Sequence, residues 1–122
     1  MHAERGPILV VEDDRDLRNS LCGLLELEGF PTVGASNGQE ALAWLRRHPA
    51  PCAILLDLMM PVMSGPEFRA QQLEDEVLAR IPVVVLSALE EARQQEGLRG
   101  ARAYLKKPIE AEMLLDTLRR LC

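Results

Sequence analysis

The chain has 122 residues, 48% hydrophobic and 27% charged, with a formal net charge of -5. That length fits one domain with a real core, and the balance is that of an ordinary globular protein. The negative charge argues against nucleic acid as the main partner. No apolar run reaches membrane-spanning length, and the N-terminus MHAERGP has no signal-peptide core. Cys22, Cys52 and Cys122 are odd in number and widely spaced, with no CxxC. They argue against a disulfide framework or a zinc site and for a reducing, cytoplasmic setting.

The elements alternate along the chain. ILVV (8–11) is a short β-branched strand that stops at acids. Leu17, Leu21, Leu24 and Leu25 then fall on one helical face, and Gly29 is the expected stop. PTVGA (31–35) is a weak second strand. Ala41, Leu42 and Leu45 mark a second helix, capped by Ser36 or Asn37, with Pro49 and Pro51 beyond its end. AILL (53–56) is the third strand, and Pro66 opens a third helix at its first turn. VVVL (83–86) is the fourth strand. The polar stretch 90–99 predicts a short helix, and AYL (103–105) is the fifth strand. Leu114, Leu118 and Leu121 mark a last helix, acidic at its start (Glu110, Glu112) and basic at its end (Arg119, Arg120), as the helix dipole favours.

Apolar strands alternating with helices imply an α/β fold: a five-stranded parallel sheet covered on both faces. Ligands in such folds bind beyond the carboxyl ends of the strands. Glu12, Asp13 and Asp14 follow the first strand, Asp57 the third, Ser87 the fourth, and Lys106-Lys107-Pro108 the fifth. Acids, a hydroxyl and an ammonium should therefore converge at one rim. Clustered carboxylates repel, so the site should hold a cation or raise a pKa. An all-oxygen pocket suits a hard ion, and Mg²⁺ is the one that also handles phosphate. An aspartate beside such an ion can attack phosphorus to give an acyl phosphate, with a lysine offsetting the developing charge.

At this point the chain resembles the response-regulator receiver domains of two-component signalling. The resemblance rests jointly on ILVVEDD (8–14), LLDLMMPVMSG (55–65), PVVVLSA (82–88) and GARAYLKKP (100–108). It covers nearly the whole chain, read as a single receiver domain over 1–122. It implies a flavodoxin-like (βα)₅ three-layer sandwich. It implies that Asp57 accepts phosphate from a histidine kinase or a histidine phosphotransfer protein. It further implies that Glu12, Asp13, Asp57 and the Met59 backbone carbonyl hold Mg²⁺ (or Mn²⁺), and that Ser87 and Lys107 bind the phosphoryl group. Ser87 and Tyr104 take the switch positions, and Lys107 precedes a proline whose peptide bond is usually cis in this family. The 90–99 helix, the fifth strand and the last helix would present a face to an unidentified downstream protein, with a homodimer as another outcome. Neither nucleic acid nor a membrane is expected as a partner of this chain.

Competing roles exist for several of these residues. Asp14, nearer to Leu17, suits a helix cap better than a metal site. Lys106 reads as a solvated lysine beside a functional Lys107. Tyr104 could simply pack. Arg69 and Gln72 stand where the family usually has apolar residues, which suggests a shifted third helix or one packed on less of its face. Two other function classes compete with the receiver reading. One is a receiver-like interaction domain not controlled by phosphate. The other is an aspartyl-phosphate phosphohydrolase, disfavoured because Met59 occupies the position where such an enzyme carries its acid/base.

Overall fold

A computed structural model describes residues 6–58, 60, 62–87 and 100–122. Five strands, β1 (Ile8–Val11), β2 (Thr32–Ala35), β3 (Ala53–Asp57), β4 (Val83–Ser87) and β5 (Ala103–Lys106), form one sheet in the order β2-β1-β3-β4-β5. Every pairing is parallel. Four helices are described: α1 (Arg15–Leu27), α2 (Gly38–Arg47), α3 (Gly65–Glu74) and α4 (Ala111–Leu121). The helix expected within 90–99 lies outside the described residues.

Strand alternation divides the core into two layers. Leu9, Val11, Ile54, Leu56, Val83 and Val85 pack with residues of α2 and α3. Ile8, Val10, Leu55, Val84, Leu86 and Leu105 pack with residues of α1 and α4. This is the three-layer α/β sandwich expected of the sequence. All residues of β1, β3 and β4 are buried, which is why these strands read as unbroken apolar runs.

Local signals explain where the elements begin and end. The Asp14 side chain accepts from the N–H groups of Asp16 and Leu17 and so caps α1; Asn37, rather than Ser36, caps α2. Gly29 ends α1 at φ 91°, a backbone region open to glycine at little cost. There Phe30 N–H bonds Leu25 O and Gly29 N–H bonds Glu26 O, a Schellman closure. Ser64 and Glu67 form a reciprocal capping box at the start of α3.

Two expectations need correction. The third helix packs on a face that includes its two polar residues. Arg69 and Gln72 are buried, and their polar groups are handed on to one another. Arg69 donates to Gln72 Oε1 at 2.7 Å, and the Gln72 amide donates to the carbonyls of Leu78 and Ile81 at 2.7 and 3.2 Å. Gln72 thereby ties α3 to the short 3₁₀ turn Leu78–Arg80 that leads into β4. The cysteines are the second correction. Cys52 and Cys122 are disulfide-bonded although 70 residues separate them, because the parallel sheet returns the start of β3 to the end of α4.

The Gln72 network yields a stability prediction. Gln72→Leu leaves two buried carbonyls and a guanidinium without their partner, and should lower the unfolding free energy by about 2–3 kcal/mol. Adding Arg69→Leu should recover part of that loss, since the two groups are coupled. Urea unfolding of the two variants measures both effects. A near-neutral Gln72→Leu would show that this network carries no stability.

Candidate functional site

The carboxyl ends of β1, β3 and β5 bring together residues far apart in sequence. In the sheet register Val11 lies beside Leu56, Asp57 beside Leu86, and Ser87 beside Lys106. Glu12 thus emerges next to Asp57, and Ser87 ends the adjoining strand. Asp57 and Ser87 are the last residues of their strands rather than the first residues of loops, so sheet hydrogen bonding holds their backbones.

Glu12 and Asp57 are 1% and 3% exposed, and two buried carboxylates side by side require a counter-charge. Lys107 supplies it. Its Nζ lies 3.0 Å from Asp57 Oδ1 and 3.3 Å from Glu12 Oε1. The Lys107 N–H donates to Ser87 O at 2.8 Å, which extends the β4–β5 ladder and aims the side chain at the rim. The Lys107–Pro108 peptide bond is cis. Lys106, in contrast, ends β5 as an exposed residue.

One ammonium does not neutralise the cluster. Carboxylate oxygens of Glu12, Asp13 and Asp57 lie within 4.8 Å of one another, with Asp13 exposed to solvent. Burial, above all, pushes the Glu12 carboxyl up to about 7; the Asp14 N–H works against this and the charge of Asp57 adds to it. For Lys107, burial opposes the ammonium, but the hydrogen bond and charge of Asp57, with Glu12 behind it, outweigh burial and raise its pKa. Compact, all-oxygen, partly open and short of positive charge, the set fits a hard divalent cation. Glu12 is held from both sides for that task. Its carboxylate accepts from the Asp14 N–H at 3.1 Å, and its carbonyl accepts from Arg18 at 2.8 Å.

The start of α3 comes close to the end of β3. Gly65 permits this, because a Cβ there would come within 2.9 Å of Asp57 O and of Leu58 Cα. Its N–H bonds Leu58 O at 3.0 Å. The Met59 carbonyl lies outside the described residues. Tyr104 is half-buried beside the α2–α3 layer and pairs with Val85, two residues before Ser87. Sequence reasoning missed the Gly65 approach, although the Ser64-Gly65 pair before a proline was its visible trace.

With this geometry in view, comparison with known proteins is decisive. Residues 8–119 match the family described as the response regulator receiver domain. The chain belongs to that family. The polar-differentiation response regulator DivK of Brucella anthropi is 32% identical over 114 residues, covering 92% of each chain. The structure of the response regulator TrrA from Thermotoga maritima, in complex with Mg²⁺ and BeF, superposes with a TM-score of 0.87 at 26% identity, over 96% of this chain and 99% of that one. A receiver domain of a sensor histidine kinase from Pseudomonas aeruginosa, with a magnesium ion coordinated in its active-site cleft, gives 0.86 at 27% identity, over 96% and 97%. The chain is thus a signalling receiver domain of the two-component class, with the flavodoxin-like fold, and not a conventional enzyme. Among the described residues no helix is long and apolar enough to cross a membrane.

The raised Glu12 pKa gives a testable pH dependence. Between the ordinary value of 4.5 and about 7, the folded protein binds more protons at Glu12 than the unfolded chain does. Stability therefore falls as pH rises across that window. In protein stripped of divalent ions, Glu12→Gln should flatten the fall in urea midpoint between pH 5 and 8. Equal slopes in the two proteins would assign the titration to another group.

Proposed function

We propose that this receiver domain is switched by phosphorylation of Asp57, received from the phosphohistidine of a histidine kinase or histidine phosphotransfer protein. The observation that carries the proposal is a nearly inaccessible aspartate held 3.0 Å from a lysine ammonium, at the rim where two further carboxylates meet. Glu12, Asp13 and Asp57, with the Met59 carbonyl, are the proposed ligands of Mg²⁺ (or Mn²⁺). When bound, the ion supplies charge neutralisation for the carboxylates and for the phosphoryl oxygens.

The protein's own part is positioning and charge. An oxygen of Asp57 forms the new P–O bond as the P–N bond of phosphohistidine breaks. Lys107 is placed to leave its carboxylate contact and follow the charge onto the transferred group. Ser87 offers a hydroxyl from the adjacent strand end. Its displacement toward the phosphoryl group would open room beside β4 into which Tyr104 turns, shifting a population of conformers already present. The face containing β5 and α4 then meets a downstream protein or a second copy of the chain.

Incubation with acetyl phosphate and Mg²⁺ should add the mass of one phosphoryl group to the wild type and none to Asp57→Asn. Chelating the metal, or Asp13→Ala, should suppress the adduct. A phosphorylated Asp57→Asn would move the acceptor elsewhere.

The two lysines separate cleanly. Lys107→Ala should abolish the change in the Tyr104 ring NMR signals on phosphorylation or beryllofluoride binding, while Lys106→Ala keeps it. Equal losses would contradict the placement of Lys107 at the site.

A further inference from the structure

The end of the sheet opposite the acidic rim carries a feature that phosphoryl chemistry does not use. Cys52 directly precedes β3, and its N–H bonds Pro7 O at 2.9 Å. Cys122 follows the last turn of α4, and its N–H bonds Leu118 O at 2.8 Å. Their Cα atoms are 5.9 Å apart and their sulfurs are bonded. That separation falls within the span that a disulfide bridges without backbone movement, roughly 4.4–6.8 Å. Both residues are half-buried at the edge of the α1–α4 layer. Cys22, on α1, is unbonded.

We propose that Cys52 and Cys122 form a reversible thiol–disulfide site whose oxidation fastens the end of α4 to the start of β3. Three observations support it. Each backbone is held by its own hydrogen bond, and the two Cα atoms stand at bridging distance. Partial exposure gives a small thiol or disulfide access to the sulfurs. Cys122 also follows the last turn of α4, and helix ends fray; loss of the bond would release that turn without dismantling the core.

The chemistry balances with a small-molecule disulfide, such as oxidised glutathione, as oxidant. One cysteine thiolate attacks a sulfur of that disulfide, forming a mixed disulfide and expelling one thiolate. The second cysteine thiolate attacks the mixed disulfide, forming the Cys52–Cys122 bond and expelling the other. The pair loses two electrons, the small disulfide gains them, and the two cysteine protons end on the two released thiols.

Closing so long a loop restricts the unfolded chain, and should raise the melting temperature by roughly 10 °C. The test uses the whole 122-residue chain, equilibrated with oxidised or reduced glutathione, alkylated under denaturing conditions and weighed intact. Reduced protein should alkylate at all three cysteines and oxidised protein at Cys22 alone, with a Cys52–Cys122 linked peptide in a non-reducing digest. Thermal melts of the same samples should show the redox-dependent shift, and Cys52→Ser and Cys122→Ser should each lose it while remaining folded. Amide exchange in the last turn of α4 should slow on oxidation. Alkylation of Cys52 and Cys122 after oxidation, mixed adducts that never resolve, bridges involving Cys22, or a melting shift that survives Cys122→Ser would each overturn the proposal.

Discussion

The Lys107 ammonium, set between the carboxylates of Asp57 and Glu12, is the contact on which the rest of the rim depends. Both acids are shut off from water. Unpaired, either would carry a large desolvation cost. At an effective dielectric near 20, two unit charges 4 Å apart interact by about 4 kcal/mol. One cation therefore goes far towards balancing one carboxylate, and cannot balance two with Asp13 beside them. Burial, above all, with the charge of Asp57 adding to it, raises the Glu12 pKa to about 7, so that a proton competes for the carboxylate near neutral pH. A divalent cation bound at such a site would displace that proton.

This arrangement exists only because the sheet is parallel. The residues concerned lie 45 and 50 positions apart in sequence, at 12, 57 and 107, yet every strand delivers its carboxyl end to the same edge. The lysine loop is then tied to its neighbour by the Lys107 N–H to Ser87 O bond. Ser87 is thereby connected to Lys107 through its backbone, at the end of the strand next to that of Asp57.

Much of this was legible in the residues. β1, β3 and β4 announced themselves because burial on both faces leaves no polar interruptions, and the acids after them stood out against that background. Asp57 and the Lys106-Lys107 pair were placed at the rim by the strands they follow, and the family resemblance singled out Lys107. β3, β4 and β5 ran one residue further than the apolar runs, since a polar side chain at the last ladder position does not weaken its backbone hydrogen bonds. Less legible were features resting on contacts between distant segments. The Cys52–Cys122 bond depends on where α4 ends relative to β3, which no spacing rule reports. The role of Gln72 depends on carbonyls six and nine residues away on a turn that carries no clear pattern of its own.

Arg69 shows why such a departure from an apolar pattern need not weaken a helix. A guanidinium in a core layer is costly unless its donors are met, and here the neutral amide of Gln72 meets one of them, while Nε has no partner among the described residues. Burial, the main influence, lowers the Arg69 pKa, and the Tyr104 phenol acts in the opposite direction. The Tyr104 phenol thus bears on the arginine. Gly100, at the entry to β5, lies close as well: a Cβ there would approach Arg69 Nη2 to 3.3 Å. Arg69 and Gln72 thus place polar groups in the layer against which Tyr104 packs, and that layer is closed by hydrogen bonds as well as by apolar contact.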